Sequence, residues 1–232
     1  MTLRKAGAIS LIVIAGTIPA GLSGCNYSVH GKALLNGGSD GSTETGTVRI
    51  AKMGGEIDVT EAPHGADLAT MGGNIHVGDV ASFVKVKTMG GVIAIDHAKG
   101  PVDATTMGGG ITIGHADGPI KASTMGGDIT ARLITTSADR RDVELTSLGG
   151  TITLTVPKDF PMDVRIILAY TKNAPRTYEI IDHIGLDQRE TPDWDNSMGS
   201  PRKYIRAQGR VGNGSNHVTI KTTNGDVILK QE

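Results

Sequence analysis

Apolar and polar residues alternate along this chain in short runs, and the runs recur on a fixed beat. Val48, Ala66, Val84, Val102 and Ile120 stand 18 residues apart, and two positions on so do Ile50, Leu68, Val86, Ala104 and Ala122. A second pair of columns follows: Ile57, Ile75, Ile93, Ile111 and Ile129, then Val59, Val77, Ile95, Ile113 and Ala131. Polar residues fill the places between, as in Glu56-Ile57-Asp58-Val59 and Val84-Lys85-Val86-Lys87. Period-two alternation over four to six residues is the signature of a strand with one face buried. Each 18-residue unit therefore predicts two short strands. One pair of strands cannot bury its apolar face alone, but stacked units bury a continuous aliphatic ladder. The expected fold is all-β: a parallel β-solenoid with two main strands per rung and about 4.8 Å between rungs.

Glycine marks the corner between the two strands of a unit. Met-Gly-Gly recurs at Met53, Met71, Met89, Met107 and Met125. The first glycine position continues through Gly149 and ends in Asn224, which points to a left-handed corner, since Gly and Asn best tolerate positive φ. The second position is glycine throughout, to Gly150 and Gly225; it requires a conformation only glycine allows, or another backbone lies against it. Weaker rungs follow at Val143 to Leu154, after a loop near Thr135 to Arg141, and at Val218 to Leu229. Residues 157–205 break the pattern. Val164 to Tyr170 reads as a strand there, and the polar stretch Asn173 to Pro201 holds Trp194 and three prolines. This insertion is expected to cap the solenoid or form a binding surface. Hexapeptide helices also use 18 residues per coil, but here Ile57 is followed six on by Pro63. Calcium-binding nonapeptide rolls need an acid that recurs after Gly-Gly, and none does.

The N-terminus changes the picture. Arg4 and Lys5 precede an uncharged apolar stretch from Ala6 to Ala20, about 22 Å as helix and too short for a bilayer core of about 30 Å. It reads as the core of a secretion signal. The following Leu22-Ser23-Gly24-Cys25 resembles the lipobox of bacterial lipoproteins, and Cys25 is the only cysteine in the chain. The resemblance implies cleavage between Gly24 and Cys25, and acylation of Cys25 on its sulfur and its new amine. Residues 1–24 are then signal peptide, 25–46 a Gly- and Ser-rich tether, and 47–232 the solenoid with its insertion. Three acyl chains exceed the two signals that stable anchoring needs. Asn26 follows Cys25 in place of the Asp that commonly retains lipoproteins in the inner membrane, so by analogy the outer membrane is expected, at its periplasmic or surface face. A single cysteine also excludes an internal disulfide framework.

Composition narrows the remainder. Aromatic residues are 3% of the chain, which suits a narrow interior filled by β-branched side chains. Removing residues 1–24 takes Arg4 and Lys5 from 23 basic residues and nothing from 24 acidic ones, leaving a net charge of about −3. That balance offers no reason to expect nucleic acid as a partner.

The strings Thr88-Met89-Gly90-Gly91-Val92-Ile93 and Thr222-Thr223-Asn224-Gly225-Asp226-Val227 resemble the Thr-x-Asn/Ser-Gly-Asp-Ile signature of the bacterial DUF4097 family, over about residues 47–156 and 205–232. That family consists of β-strand-repeat envelope proteins often labelled adhesins, and brings no established catalytic residues. The strict 18-residue spacing and the Met column depart from its usual pattern.

Candidate chemistry is sparse. The five methionines suggest a soft-metal ladder, but Leu148 takes the same position in the sixth rung, so apolar packing is expected. Thr70, Thr88, Thr106 and Thr124 either present hydroxyls to a sugar or form a buried ladder bonding to one another; the ladder is expected. His97, His115 and Asp79 stack as neighbours and suggest a weak metal site, with solvated turn residues the plainer reading. No acid/base pair or activated nucleophile emerges from the repeat, although the charges of Asp182 to Asp195 leave room for one. No metal, cofactor or catalytic residue is assigned. The expected function is a non-enzymatic, lipid-anchored, adhesin-like scaffold of the cell envelope, with an envelope protein or glycan as possible partner. The alternative is a polysaccharide-binding or carbohydrate-active β-helix.

Overall fold

A computed structural model describes residues 27–29, 46–134, 141–197 and 199–232. The signal segment and the cleavage pair Gly24 and Cys25 lie outside the described residues. The protein is an all-β stack of rungs, each contributing one strand to each of two sheets. Written with the second-sheet strand first, the rungs are: rung 1, Val48–Lys52 and Ile57–Ala62; rung 2, Ala66–Thr70 and Ile75–Val80; rung 3, Val84–Lys87 and Ile93–Ala98; rung 4, Val102–Thr105 and Ile111–Ala116; rung 5, Ile120–Thr124 and Ile129–Leu133; rung 6, Val143–Ser147 and Ile152–Val156. Strands of successive rungs pair in parallel, and the register follows the sequence columns: Val48 on Ala66, Val84 on Val102, Ile57 on Ile75, Ile93 on Ile111. Tyr27–Val29, within the segment read as tether, pairs in parallel with Ile57–Val59 and extends the first sheet.

The interior is one aliphatic column. Val48, Ile57, Val59, Ala62, Ala104, Ile113, Leu145 and Leu154 are wholly inaccessible to solvent. Burying a Val or Ile contributes roughly 1.5–3 kcal/mol, so each rung gains most by sitting between two others. The buried aromatics Phe160 and Tyr178 both lie past rung 6.

Beyond rung 6 the chain does something its order conceals. It first builds the far end, rung 8, from Met162–Thr171 and Ile180–Asp182. It returns along that end through Arg202–Val211, antiparallel to Met162–Thr171, with Asp187–Glu190 at the sheet edge. Only then do Asn216–Thr223 and Val227–Gln231 enter as rung 7, between rungs 6 and 8. Val218 is flanked by Val143 on one side and Val164 on the other, and Val227 by Ile152 and Ile180. The expected insertion 157–205 thus adds strands to both sheets, and it forms the C-terminal end of the stack.

The glycine corner differs from expectation. Gly54, Gly72, Gly90, Gly108, Gly126 and Gly149 are not left-handed; at this position positive φ occurs only at Asn224, at 53°. A Cβ on Gly54, Gly72 or Gly90 would meet nothing within 4 Å. The constraint sits at the second glycine, where a Cβ on Gly91 would stand 2.0 Å from the carbonyl oxygen of Gly73, and one on Gly225 2.0 Å from that of Gly150. Backbone lies on backbone at this corner, which is why no side chain ever occurs there.

Candidate functional site

Beside that corner the threonines are buried, but they do not bond to one another. Thr88 Oγ1 donates to the Gly73 carbonyl of the rung before at 2.9 Å, and the Gly91 N–H donates back to Thr88 Oγ1 at 3.3 Å. Thr106 and Thr124 repeat the arrangement; Ser147 and Thr222 occupy the same place, donating to Gly127 and Gly150. A hydroxyl between two rungs satisfies a carbonyl that the corner would otherwise leave unpaired inside the fold. These groups are spent on the fold and are not offered to a sugar.

The methionines turn outward more than apolar packing requires. Met53 is 79% exposed, Met71, Met89, Met107 and Met125 are 44–50% exposed, and Leu148 is 53% exposed. One apolar residue per rung over rungs 1 to 6 makes a continuous ridge along the second sheet's margin. Such a continuous apolar strip is the kind of feature that marks an interaction surface.

The outer face of the second sheet, toward the strand starts and across the small-residue column from that ridge, holds a concavity. It is a groove of about 810 Å³ lined by Phe83, Pro101 and Pro119, by Lys85, Asp103, Lys121 and Glu144, and at its far end by Arg165, Ile167, Thr219 and Lys221. The pairing register brings one outward column together: Arg49, Asp67, Lys85, Asp103, Lys121 and Glu144, on rungs 1 to 6. Its charge alternates at every step. Lys121 Nζ reaches Glu144 Oε2 at 3.5 Å, while Asp67, Lys85 and Asp103 form no ion pair with another described residue. The next outward column is mostly small, with Ala51, Ala69, Thr105, Ser123 and Thr146 broken only by Lys87. The alternating column was available to sequence reading, since the repeat spacing carries it, but charges that differ from rung to rung look like variation until their signs are read in order.

The first sheet's outer face carries a different arrangement. His76 lies between Asp58 of rung 1 and Asp96 of rung 3, with Nδ1 3.1 Å from one carboxylate and Nε2 3.1 Å from the other. His97 lies likewise between Asp79 at 3.4 Å and Asp117 at 3.6 Å. His115 stacks next to His97, its ring edge-on at 6.3 Å. The residues singled out as a weak metal site are therefore neighbours, yet among the described residues no three carboxylate, imidazole or thiol groups converge as a metal would need. The bond from Asp58, with help from Asp96, raises the His76 pKa above 6.5 against the opposing effect of burial. A pKa raised on folding means stability that is complete below pH 6.5 and fades as pH rises through the folded value. Melting temperature should accordingly fall as pH rises above 6.5, and His76→Gln should flatten that slope; an unchanged slope in the variant would remove His76 as its source.

Four of the acids between Asp182 and Asp195, namely Asp182, Asp187, Glu190 and Asp195, are engaged within the C-terminal end itself. Asp182 Oδ1 accepts from the N–H groups of Ile184, Gly185 and Leu186, and Gln188 donates to Oδ2; burial raises its pKa, but these donors together hold it below the usual carboxylate range. Tyr170 donates to Glu190, which with burial pushes its phenol up to about 12. Trp194 packs edge-on to the Tyr170 ring at 5.7 Å, and Asp195 accepts from Ser197 N–H at 2.9 Å. These carboxylates fasten turns and strands at the end of the stack. No family model, curated protein or solved structure compared with the chain matches it.

Proposed function

We propose that this chain is a non-catalytic, lipid-anchored scaffold of the Gram-negative cell envelope, which meets its partner along the outer face of the second sheet. The observation that carries the reading is the coincidence of three features on that face: the groove, the alternating column and the exposed Met ridge. The Gly-Gly strings that resemble the DUF4097 repeats support an envelope setting, and the lipobox-like Leu22-Ser23-Gly24-Cys25 supports anchoring through Cys25 at the outer membrane. The stack's interior is purely structural, so partner contact falls to the outer faces. The first sheet's face offers bracketed His–Asp pairs.

The groove keeps a second reading alive, that of a polysaccharide-binding or carbohydrate-active β-helix. It runs across the rungs from Phe83 to Arg165, as an extended polymer would need, and Asp103, Glu144, Arg165 and Lys221 supply polar contacts. A glycan array with a turnover assay separates the two: binding without turnover keeps the scaffold reading, and turnover replaces it. Anchoring is tested at Cys25. The wild-type chain should take up labelled palmitate in cells and Cys25→Ser should take up none; continued labelling of that variant rules out lipidation at Cys25. Protease shaving of intact cells then distinguishes the surface from the periplasmic face.

A further inference from the structure

We infer that the partner on the second-sheet face is a second copy of this chain, packed face to face with its stacking axis reversed. The inference deepens the scaffold reading and rests on it for the choice of face. A two-fold axis lying in the interface along the strand direction, between rungs 3 and 4, places rung 1 opposite rung 6, rung 2 opposite rung 5, and rung 3 opposite rung 4. The charged column then meets itself with every sign matched: Arg49 faces Glu144, Asp67 faces Lys121, and Lys85 faces Asp103. An axis along the stack would instead set like charges against each other at all six positions.

The exposed apolar ridge obeys the same symmetry. Met53 meets Leu148, Met71 meets Met125, and Met89 meets Met107. Both columns end together, for rung 7 carries Thr219 and Thr223 in these two places. The shared limit is informative, because a charge alternation that served only stacking within one chain would have no reason to stop where the methionines stop. Asp67, Lys85 and Asp103, which form no ion pair with another described residue, find theirs across the interface. The intervening column of small residues lets the two faces approach. Six rungs at about 4.8 Å and a strip about 20 Å wide span roughly 600 Å² per copy, at most about 1,200 Å² in total since the groove keeps part of it out of contact, the low end of specific interfaces. Self-pairing should therefore be reversible and sensitive to salt. The groove's far end, at Arg165, Ile167 and Lys221, lies beyond the paired rungs and stays open.

Reversing the whole column tests the orientation without disturbing the fold. Arg49→Glu, Asp67→Lys, Lys85→Glu, Asp103→Lys, Lys121→Glu and Glu144→Lys in one chain preserve alternation along the stack. In a Cys25→Ser background, sedimentation should show native and reversed chains each dimerising with themselves at tens of micromolar. Tagged native chain should not capture reversed chain, since every facing pair would carry like charges. Free exchange between the two overturns the charge register. Should the reversed chain fail to fold, single thiols replace it: Arg49→Cys mixed with Glu144→Cys in the same background should cross-link through a short bismaleimide. Neither should do so alone, because identical positions lie five rungs, about 24 Å, apart along the stack. A native chain that stays monomeric overturns the inference; palmitate labelling and ligand binding read the scaffold proposal separately.

Discussion

Removing Val92 through Gly109 should leave a folded protein shorter by one step of about 4.8 Å. The deletion takes out the first-sheet strand of rung 3 and the second-sheet strand of rung 4, and joins Gly91 to Gly110, which occupies the position of Val92. Ile75 then lies on Ile111 and Val84 on Ile120, each an aliphatic pair of the kind already present. Thr124 meets the Gly91 carbonyl that Thr106 has lost. One cost is visible: Lys85 comes to lie beside Lys121, a like-charge neighbour on an exposed face, worth a few tenths of a kcal/mol. That is small against a rung whose apolar side chains are buried on both sides. Deleting nine residues, Val92 through Gly100, should unfold the protein. It leads the Gly-Gly corner into Pro101-Val102, so a second-sheet strand arrives where the first sheet needs one, and every later strand changes sheets. Circular dichroism and limited proteolysis decide it; equal loss of structure in the two deletions would contradict rung-by-rung stacking.

Gly91→Ala should be among the most damaging single substitutions in the solenoid, and Gly90→Ala among the mildest. At Gly91 the new Cβ would stand 2.0 Å from the Gly73 carbonyl oxygen, which is held by the Thr88 hydroxyl and cannot step aside alone. Forced overpacking of this kind costs about 1–3 kcal/mol, and the backbone partner puts this case at the upper end. At about 2–4 °C per kcal/mol for a chain of this size, melting should drop by about 6–12 °C. At Gly90 the Cβ points into open space and φ is ordinary, so the change should stay within about 0.5 kcal/mol. Calorimetry on the two variants checks the pair, and similar melting temperatures would show that the rungs do not touch through the second glycine.

The contrast between those two glycines shows what the sequence could and could not disclose. Repetition exposes columns: the buried faces, the parallel register and the five regular rungs follow from spacing alone, because a parallel stack puts residues 18 apart side by side. It does not expose what lies between columns. The contact of Gly91 with Gly73 and the bond from Thr88 to the same carbonyl link different columns of adjacent rungs, so the first glycine was given a strain that the second one carries. The methionines look apolar in any tally, and only the corner's geometry turns them outward. The order of the last rungs was hidden for another reason. Val218 to Leu229 is recognisably a rung, but nothing in its residues tells that Met162–Thr171, earlier in the chain, lies on its far side.

That reversed order sets the moment at which the stack can be completed. Rungs 1 to 6 follow one another in chain order, so each can be laid down on a finished template. Met162–Thr171 has only its antiparallel hairpin partner Arg202–Val211 until Asn216–Thr223 arrives to join it to Val143–Ser147, 75 residues upstream of Val218 in the case of Val143. The parallel ladder is therefore sealed by the very end of the chain. A growing polypeptide meanwhile presents the bare edge of rung 6, with the carbonyls and amides not bonded to rung 5 facing outward, an invitation to wrong pairing that finished proteins suppress. Closure by Asn216–Thr223 and Val227–Gln231 ties the protection of that edge to those two strands, so that a chain cut before them leaves it bare.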